Sequence, residues 1–231
     1  MNKSKIEWCD RTWNPVTGCL HNCEYCYARK IAKRFNPIDK DGKSFQPAFH
    51  EDRLNEPQKC KTPQNIFVCS MADLFGEWVP DEWIKAVFEA CEKAPQHRYL
   101  FLTKNPKRYW ELAEKGLLPQ CENFWYGITV NKQVDANRLA DLLNTTPSFF
   151  PQKRFVSIEP IQERIYISYG AVSWVIVGGE SGNRKNKITP EKLWLDHIIE
   201  QCDFHETPLF MKDSLAGIWG EKLIQQYPWE V

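Results

Sequence analysis

Six short runs along the chain are almost continuously apolar: Asn65–Ser70 (NIFVCS), Arg98–Lys104 (RYLFLTK), Phe124–Val130 (FWYGITV), Arg154–Pro160 (RFVSIEP), Trp174–Glu180 (WVIVGGE) and Pro208–Asp213 (PLFMKD). A run of this kind, short and without alternation, reads as a strand buried on both faces, as in a parallel sheet. Between most of them the apolar period is helical. In DEWIKAVFEACEKA, which starts at Asp81 after Pro80, Trp83, Ile84, Val87, Phe88 and Cys91 form one stripe. NPKRYWELAEKG offers Asn105 as N-cap, Pro106 in the first turn and Gly116 as stop. Lys132–Asn144 carries Val134, Leu139, Leu142 and Leu143, and TPEKLWLDHIIEQC opens on a cap-like Thr189, Pro190 and Glu191. SLAGIWGEKLIQQY predicts a weaker C-terminal helix, interrupted by Gly217 and Gly220. An irregular first strand falls in or near RTWNPVTG, where Pro15 disturbs it. Strand alternating with helix predicts an α/β protein with a parallel sheet of about six or seven β/α units, a full or partial TIM-like barrel. One domain is expected over residues 1–231. Within it, residues 36–63 are proline-rich and polar and break the alternation. They predict a long excursion between the first helix and the second strand, either a lid or a solvated insertion.

Composition narrows the partners. Lys and Arg total 30, as do Asp and Glu, so no global field favours nucleic acid or an anionic membrane surface. No apolar run is long enough to span a bilayer, and MNKSKIEWCDRTW lacks the apolar core of a secretory leader. A cytoplasmic protein is expected. The nine cysteines then read as thiols or metal ligands rather than disulfides.

The strand candidates share a second feature: each ends in polar residues. Ser70 and Asp73, Thr103 and Lys104, Thr129 and Asn131, Ser157 and Glu159, Gly178, Gly179, Glu180 and Ser181, and Lys212 and Asp213 follow the six runs in turn. In a β/α barrel the C-terminal strand ends form the rim where active sites sit. Some of these residues, Asn105 and Asn131 among them, are explained equally well as helix caps.

One cluster carries distinct chemistry. TGCLHNCEYCYARK, from Thr17 to Lys30, spaces Cys19, Cys23 and Cys26 as C-x3-C-x2-C at the join of the first strand and first helix. Thiolates bind soft metals and iron–sulfur clusters. Three thiolates satisfy three irons of a 4Fe–4S cube and leave the fourth open to a ligand from outside the protein. A structural zinc site would recruit His21 or distant Cys9 as its fourth ligand. Zinc motifs usually come as two separated pairs, and a second C-x2-C pair is missing. The remaining cysteines are scattered, and read as ordinary thiols or as ligands of an auxiliary cluster.

The triad, with Tyr25 before its last cysteine, resembles the signature of the radical S-adenosylmethionine superfamily. With WNPVTGCLHNCEYCYA, SMADLFGEWVP, FLTKNP, SIEP and VGGESG, it is similar to a phage- and prophage-associated radical S-adenosylmethionine-like family of unassigned substrate. The resemblance covers roughly Trp13 to Lys212. It implies that Cys19, Cys23 and Cys26 hold a 4Fe–4S cluster whose open iron chelates S-adenosylmethionine. One electron then breaks the sulfonium bond, and the 5′-deoxyadenosyl radical abstracts hydrogen from a substrate. It implies an electron donor such as flavodoxin or ferredoxin. Tyr25 would pack near the cluster or the adenine, and Ser157 and Glu159 would meet the ribose or carboxylate. Where the family has a Gly-Gly-Glu-like turn after the second strand, this chain has CSMADLF, so Ser70 and Asp73 would supply the acceptors. Gly178, Gly179 and Glu180 repeat the missing turn on a later strand and would line the cofactor or substrate pocket. Thr103, Lys104, Thr129 and Lys212 are further candidates for substrate or carboxylate contacts, with Lys104, Glu180 and Lys212 as the catalytic candidates. Basic residues Arg29, Lys30, Lys33 and Arg34 on the first helix, and GNRKNK at Gly182–Lys187, read either as solvated faces or, with the phage association that the resemblance implies, as contacts to a nucleobase or nucleotide substrate. The departure at CSMADLF leaves open a cluster-binding scaffold or sensor without turnover.

Overall fold

The computed structural model describes residues 1–35, 45–144, 151–167 and 169–230. The strands are β1 (Asn2–Lys3), β2 (Arg11–Trp13), β3 (Val16–Thr17), β4 (Ala48–Phe49), β5 (Asn65–Val68), β6 (Arg98–Thr103), β7 (Phe124–Thr129), β8 (Arg154–Ile158), β9 (Trp174–Val177) and β10 (Leu209–Met211). The helices are α1 (Tyr27–Phe35), α2 (Glu56–Lys59), α3 (Asp81–Glu92), α4 (Lys107–Glu114), α5 (Gln133–Asn144), α6 (Lys192–Phe204) and α7 (Ala216–Trp219). The fold is mixed α/β. Its eight-stranded sheet runs β1-β2-β5-β6-β7-β8-β9-β10, and among the described residues no ladder joins β10 back to β1. β1 is antiparallel to β2, while β2–β5, β5–β6, β7–β8, β8–β9 and β9–β10 are parallel.

The chain divides into two compact units, Met1–Trp125 and Tyr126–Val231. In the first, Ile66 and Val68 of β5, Tyr99 and Phe101 of β6 and Trp13 of β2 are all buried, as continuous apolar strands require. Phe88 of α3 packs on Phe101 with ring centroids 5.2 Å apart, and Phe75 meets Tyr109 of α4 at 4.5 Å. In the second unit every residue of β9 is buried. Trp174 gathers Phe210, Tyr227 and Trp229 around it.

Several expectations shift at their ends. β5 stops at Val68 rather than Ser70, because Cys69 takes a left-handed φ of 59° and turns the chain out of the ladder. β8, β9 and β10 are also shorter than their apolar runs. Asn105 does not cap α4. Its amide donates to the Phe75 carbonyl at 3.1 Å, and Pro106 takes the cap position. α6 begins at Lys192, beyond Thr189. The C-terminal helix ends at Trp219, where Gly220 adopts φ 75°. Beyond it the chain is extended: Met211 N–H donates to the Ile224 carbonyl at 2.7 Å and Gln226 N–H to that of Leu209 at 2.9 Å, so this segment lines the edge of β10. The side chains of Leu142 and Leu143 lie outside the described residues.

The excursion at 36–63 begins with residues 36–44, outside the described set. Its described part is anchored to the first unit. β4 pairs with β3, Trp13 Nε1 donates to the Arg53 carbonyl at 2.9 Å, and Phe49 stacks on Trp83 at 5.4 Å.

Candidate functional site

The cysteines occupy the loop between β3 and α1, and the backbone before them fixes its course. Gly18 has φ 86°, and a Cβ there would stand 1.9 Å from the Gln46 carbonyl oxygen. Only glycine tolerates both. Gly18 N–H donates to the Met71 carbonyl at 2.9 Å and Cys19 N–H to that of Phe45 at 3.0 Å. The Arg29 guanidinium donates to the Cys19 carbonyl at 3.0 Å and lies over the Phe45 ring. Asn22 takes φ 55°, and Cys26 N–H closes a turn on the Cys23 carbonyl at 3.2 Å. Arg29 N–H meets Cys26 Sγ at 3.3 Å.

All three thiols are half-buried. Burial pushes the Cys19 thiol up to about 11, against a lowering contact from the His21 backbone; Asp73, Cys23 and Cys26 raise it further. Among the described residues no group of three or more His, Cys, Asp or Glu is drawn close enough to hold a metal ion. The donors nonetheless suit an iron–sulfur cluster in kind: three soft sulfurs on one loop, with backbone amides beside two of them. Cys9 and His21, the further ligands that a zinc site would recruit, each have another partner. Cys9 is buried with Sγ on the Ser4 hydroxyl, 3.1 Å away, and His21 Nε2 faces Asp73 Oδ2 at 2.7 Å.

The polar residues that follow β5 and β6 gather beside this loop. Asp73 is a junction. Its Oδ1 accepts from the Thr103 hydroxyl at 2.8 Å and from Phe75 N–H at 3.0 Å; its Oδ2 faces His21 and accepts from Lys104 N–H at 2.9 Å. Ser70 hydroxyl donates to Asn14 Oδ1 at 3.2 Å, and the Ser70 carbonyl accepts from Tyr27 hydroxyl at 2.7 Å. Lys104 Nζ lies 5.4 Å from the centre of the Tyr25 ring. Tyr25, Ser70, Asp73 and Lys104 are therefore brought together with the triad. Both Asp73 oxygens are already engaged by protein groups.

In the second unit the strand register builds another polar group. Ser157 pairs with Thr129 on one side and Ile176 on the other. Glu159 follows in the turn just beyond β8. Lys212 Nζ pairs with Glu159 Oε1 across Gly178, where a Cβ would meet Lys212 Cδ at 2.9 Å. Ser157 is 1% exposed, and its hydroxyl has no hydrogen-bond partner among the described residues. Gly179 N–H is taken by the Ser214 hydroxyl at 3.0 Å, and Glu180 is buried against Arg184 in two 2.8 Å bonds. Arg184 is thus neutralised, which removes it from the expected basic group. Arg29 is likewise occupied, whereas Lys30, Lys33 and Arg34 are exposed. Asn131 donates to the Pro160 carbonyl at 2.8 Å, while Asp135 accepts from the N–H groups of Asn131 and Lys132 and caps α5.

A family model described as "Protein of unknown function (DUF5131)" matches residues 3–227. The chain belongs to the DUF5131 family. The match takes in the cysteine loop and both polar groups. No curated protein and no solved structure matches the chain. Sequence reasoning missed Asn14, Arg29 as a loop anchor, and the His21–Asp73 contact. These are partners far apart in sequence, and the one local signal was Gly18 immediately before the first cysteine.

Proposed function

We propose that this DUF5131 protein is a radical S-adenosylmethionine enzyme with Cys19, Cys23 and Cys26 as the protein ligands of a 4Fe–4S cluster. The observation that carries the reading is the position of the triad: one anchored loop that follows β3, beside polar residues from the C-terminal ends of β5 and β6. Cys19, Cys23 and Cys26 would hold the cluster, which when bound would supply the electron for reductive cleavage of S-adenosylmethionine and so the means of hydrogen abstraction from a substrate. This chain's residues orient and shelter that chemistry. Gly18, Arg29 and the Phe45 carbonyl fix the loop, and Tyr25 with Lys104 flanks it. The second unit, taken by itself, carries a polar group of its own in the buried Ser157 hydroxyl and the Glu159–Lys212 pair. The parallel strands fit a partial TIM-like barrel in this reading. Exposed Lys30, Lys33 and Arg34 beside the loop favour a phosphate-bearing substrate such as a nucleotide or nucleobase in nucleic acid, and an electron donor such as flavodoxin or ferredoxin is required.

One observation favours a second reading. Asp73, a carboxylate beside the loop, has both oxygens engaged, which suits an iron–sulfur scaffold or sensor without turnover. Anaerobic reconstitution with iron and sulfide, followed by electron paramagnetic resonance of the reduced protein, separates the two. A 4Fe–4S signal that changes on adding S-adenosylmethionine is expected. A cluster indifferent to it supports the scaffold, and stoichiometric zinc with no cluster sinks both.

A further inference from the structure

Asp73 is 5% exposed, and three of its four hydrogen bonds come from Phe75 N–H, two residues on, and from the Thr103 hydroxyl and Lys104 N–H at the C-terminal end of β6. Those three donors already satisfy a buried carboxylate. The fourth contact, 2.7 Å to His21 Nε2, spans 52 residues and reaches the middle of the cysteine loop. His21 lies between Cys19 and Cys23, and its side chain is 22% exposed. It is gripped from a second direction by Trp78, edge-on at 4.8 Å. Trp78 can lie there because Gly76 is bare: a Cβ would stand 2.4 Å from the indole. The segment Asp73–Trp78 is thus shaped around one histidine of the loop.

We infer that Asp73, acting through His21, is a positioning clamp that pins the middle of the Cys19–Cys26 loop to the segment after β5 before any metal arrives. The inference rests on the reading of that loop as a cluster-binding loop. A loop held in place loses less freedom on binding. The clamp touches neither metal nor substrate, so its effect is on affinity and on thiol access.

The test uses the full chain, reduced and metal-free. Two readouts are taken: the iodoacetamide rate at each cysteine by mass spectrometry, and Co²⁺ affinity from the thiolate-to-cobalt absorption band. His21→Ala is expected to speed alkylation of Cys19, Cys23 and Cys26, leave Cys91 and Cys202 unchanged, and weaken Co²⁺ binding about 2–10-fold, the scale of re-ordering a released side chain on binding. His21→Gln, whose amide still donates to Asp73, should restore most of both. Thr103→Val removes a different bond of Asp73. It should lower the melting temperature without moving either thiol readout. Parental rates and affinity in His21→Ala would overturn the clamp, as would Thr103→Val matching His21→Ala. If the parent protein binds no Co²⁺, the alkylation rates alone still decide the clamp, and reconstitution with iron and sulfide decides the cluster reading.

Discussion

At the scale of single residues, Gly18 and the cysteines separate cleanly. Gly18 combines a left-handed φ with a carbonyl where its Cβ would be. Gly18→Ala should cost at least about 1–3 kcal/mol, the strain of a non-glycine residue in that conformation. Urea unfolding measures it, and a loss too small to detect would show that the 45–47 segment yields. Cys91 and Cys202 are buried thiols pushed upward by desolvation, Cys202 to about 12. Unlike the half-buried triad, they are closed to solvent and so to iron and alkylating reagents. Replacing Cys19, Cys23 or Cys26 by Ala should abolish iron incorporation on reconstitution, while Cys91→Ala and Cys202→Ala should keep it. Equal losses from all five would remove the triad's special status. The triad was legible from spacing alone. The partners of Asp73 were not, because a carboxylate after a strand is compatible with capping, catalysis or packing until the fold chooses its donors.

At the scale of elements, α3 and α4 are joined by charge as well as by aromatic packing. Asp81, in the first turn of α3, accepts from Arg108 Nη2 at 2.5 Å and from Lys115 Nζ at 2.7 Å. The Lys115 hydrogen bond, above a small opposing desolvation, holds its carboxyl below the ordinary range, with the charges of Arg108 and Lys115 adding to the effect. The folded state therefore binds the proton more weakly than the unfolded chain. The contribution is complete above the unfolded carboxylate value, near 3.9, and is lost as pH falls through the lower folded value. Asp81→Asn should cost about 1 kcal/mol at pH 7, because the pair is partly exposed. That difference should vanish in strong acid, as read from denaturation midpoints across pH; a pH-independent difference would mean that packing, not charge, carries it. Helix periods and strand runs were readable in the sequence. Their ends were not: Cys69 stops β5 and Gly220 stops α7 by left-handed turns. The sequence marks Gly220 openly, whereas nothing local marks Cys69.

At the scale of the whole chain, formal neutrality confines any affinity for nucleic acid to local charge. If Lys30, Lys33 and Arg34 contact phosphates, affinity for a single-stranded oligonucleotide should fall steeply with salt, and Lys30→Ala with Lys33→Ala should flatten that slope. Binding indifferent to salt would exclude this role. The C-terminal segment matters to the second unit because Trp229 and Tyr227 cover Trp174 and Phe210. Trp229→Ala should cost roughly 2 kcal/mol, in the range for lost aromatic packing, and thermal melting would reveal it. No helix is long and apolar enough to cross a membrane among the described residues. The sequence by itself determined the α/β alternation, the parallel strands and the cysteine loop at a strand–helix join, because apolar period and ligand spacing are local properties. Tertiary structure decided which polar groups meet. Asp73 turned to His21, Asn105 to Phe75, Glu180 to Arg184 and Lys212 to Glu159, while residues after Gly220 lined β10 instead of extending a helix. A buried donor or acceptor must find a partner, and only the folded chain settles which of many distant ones is within reach.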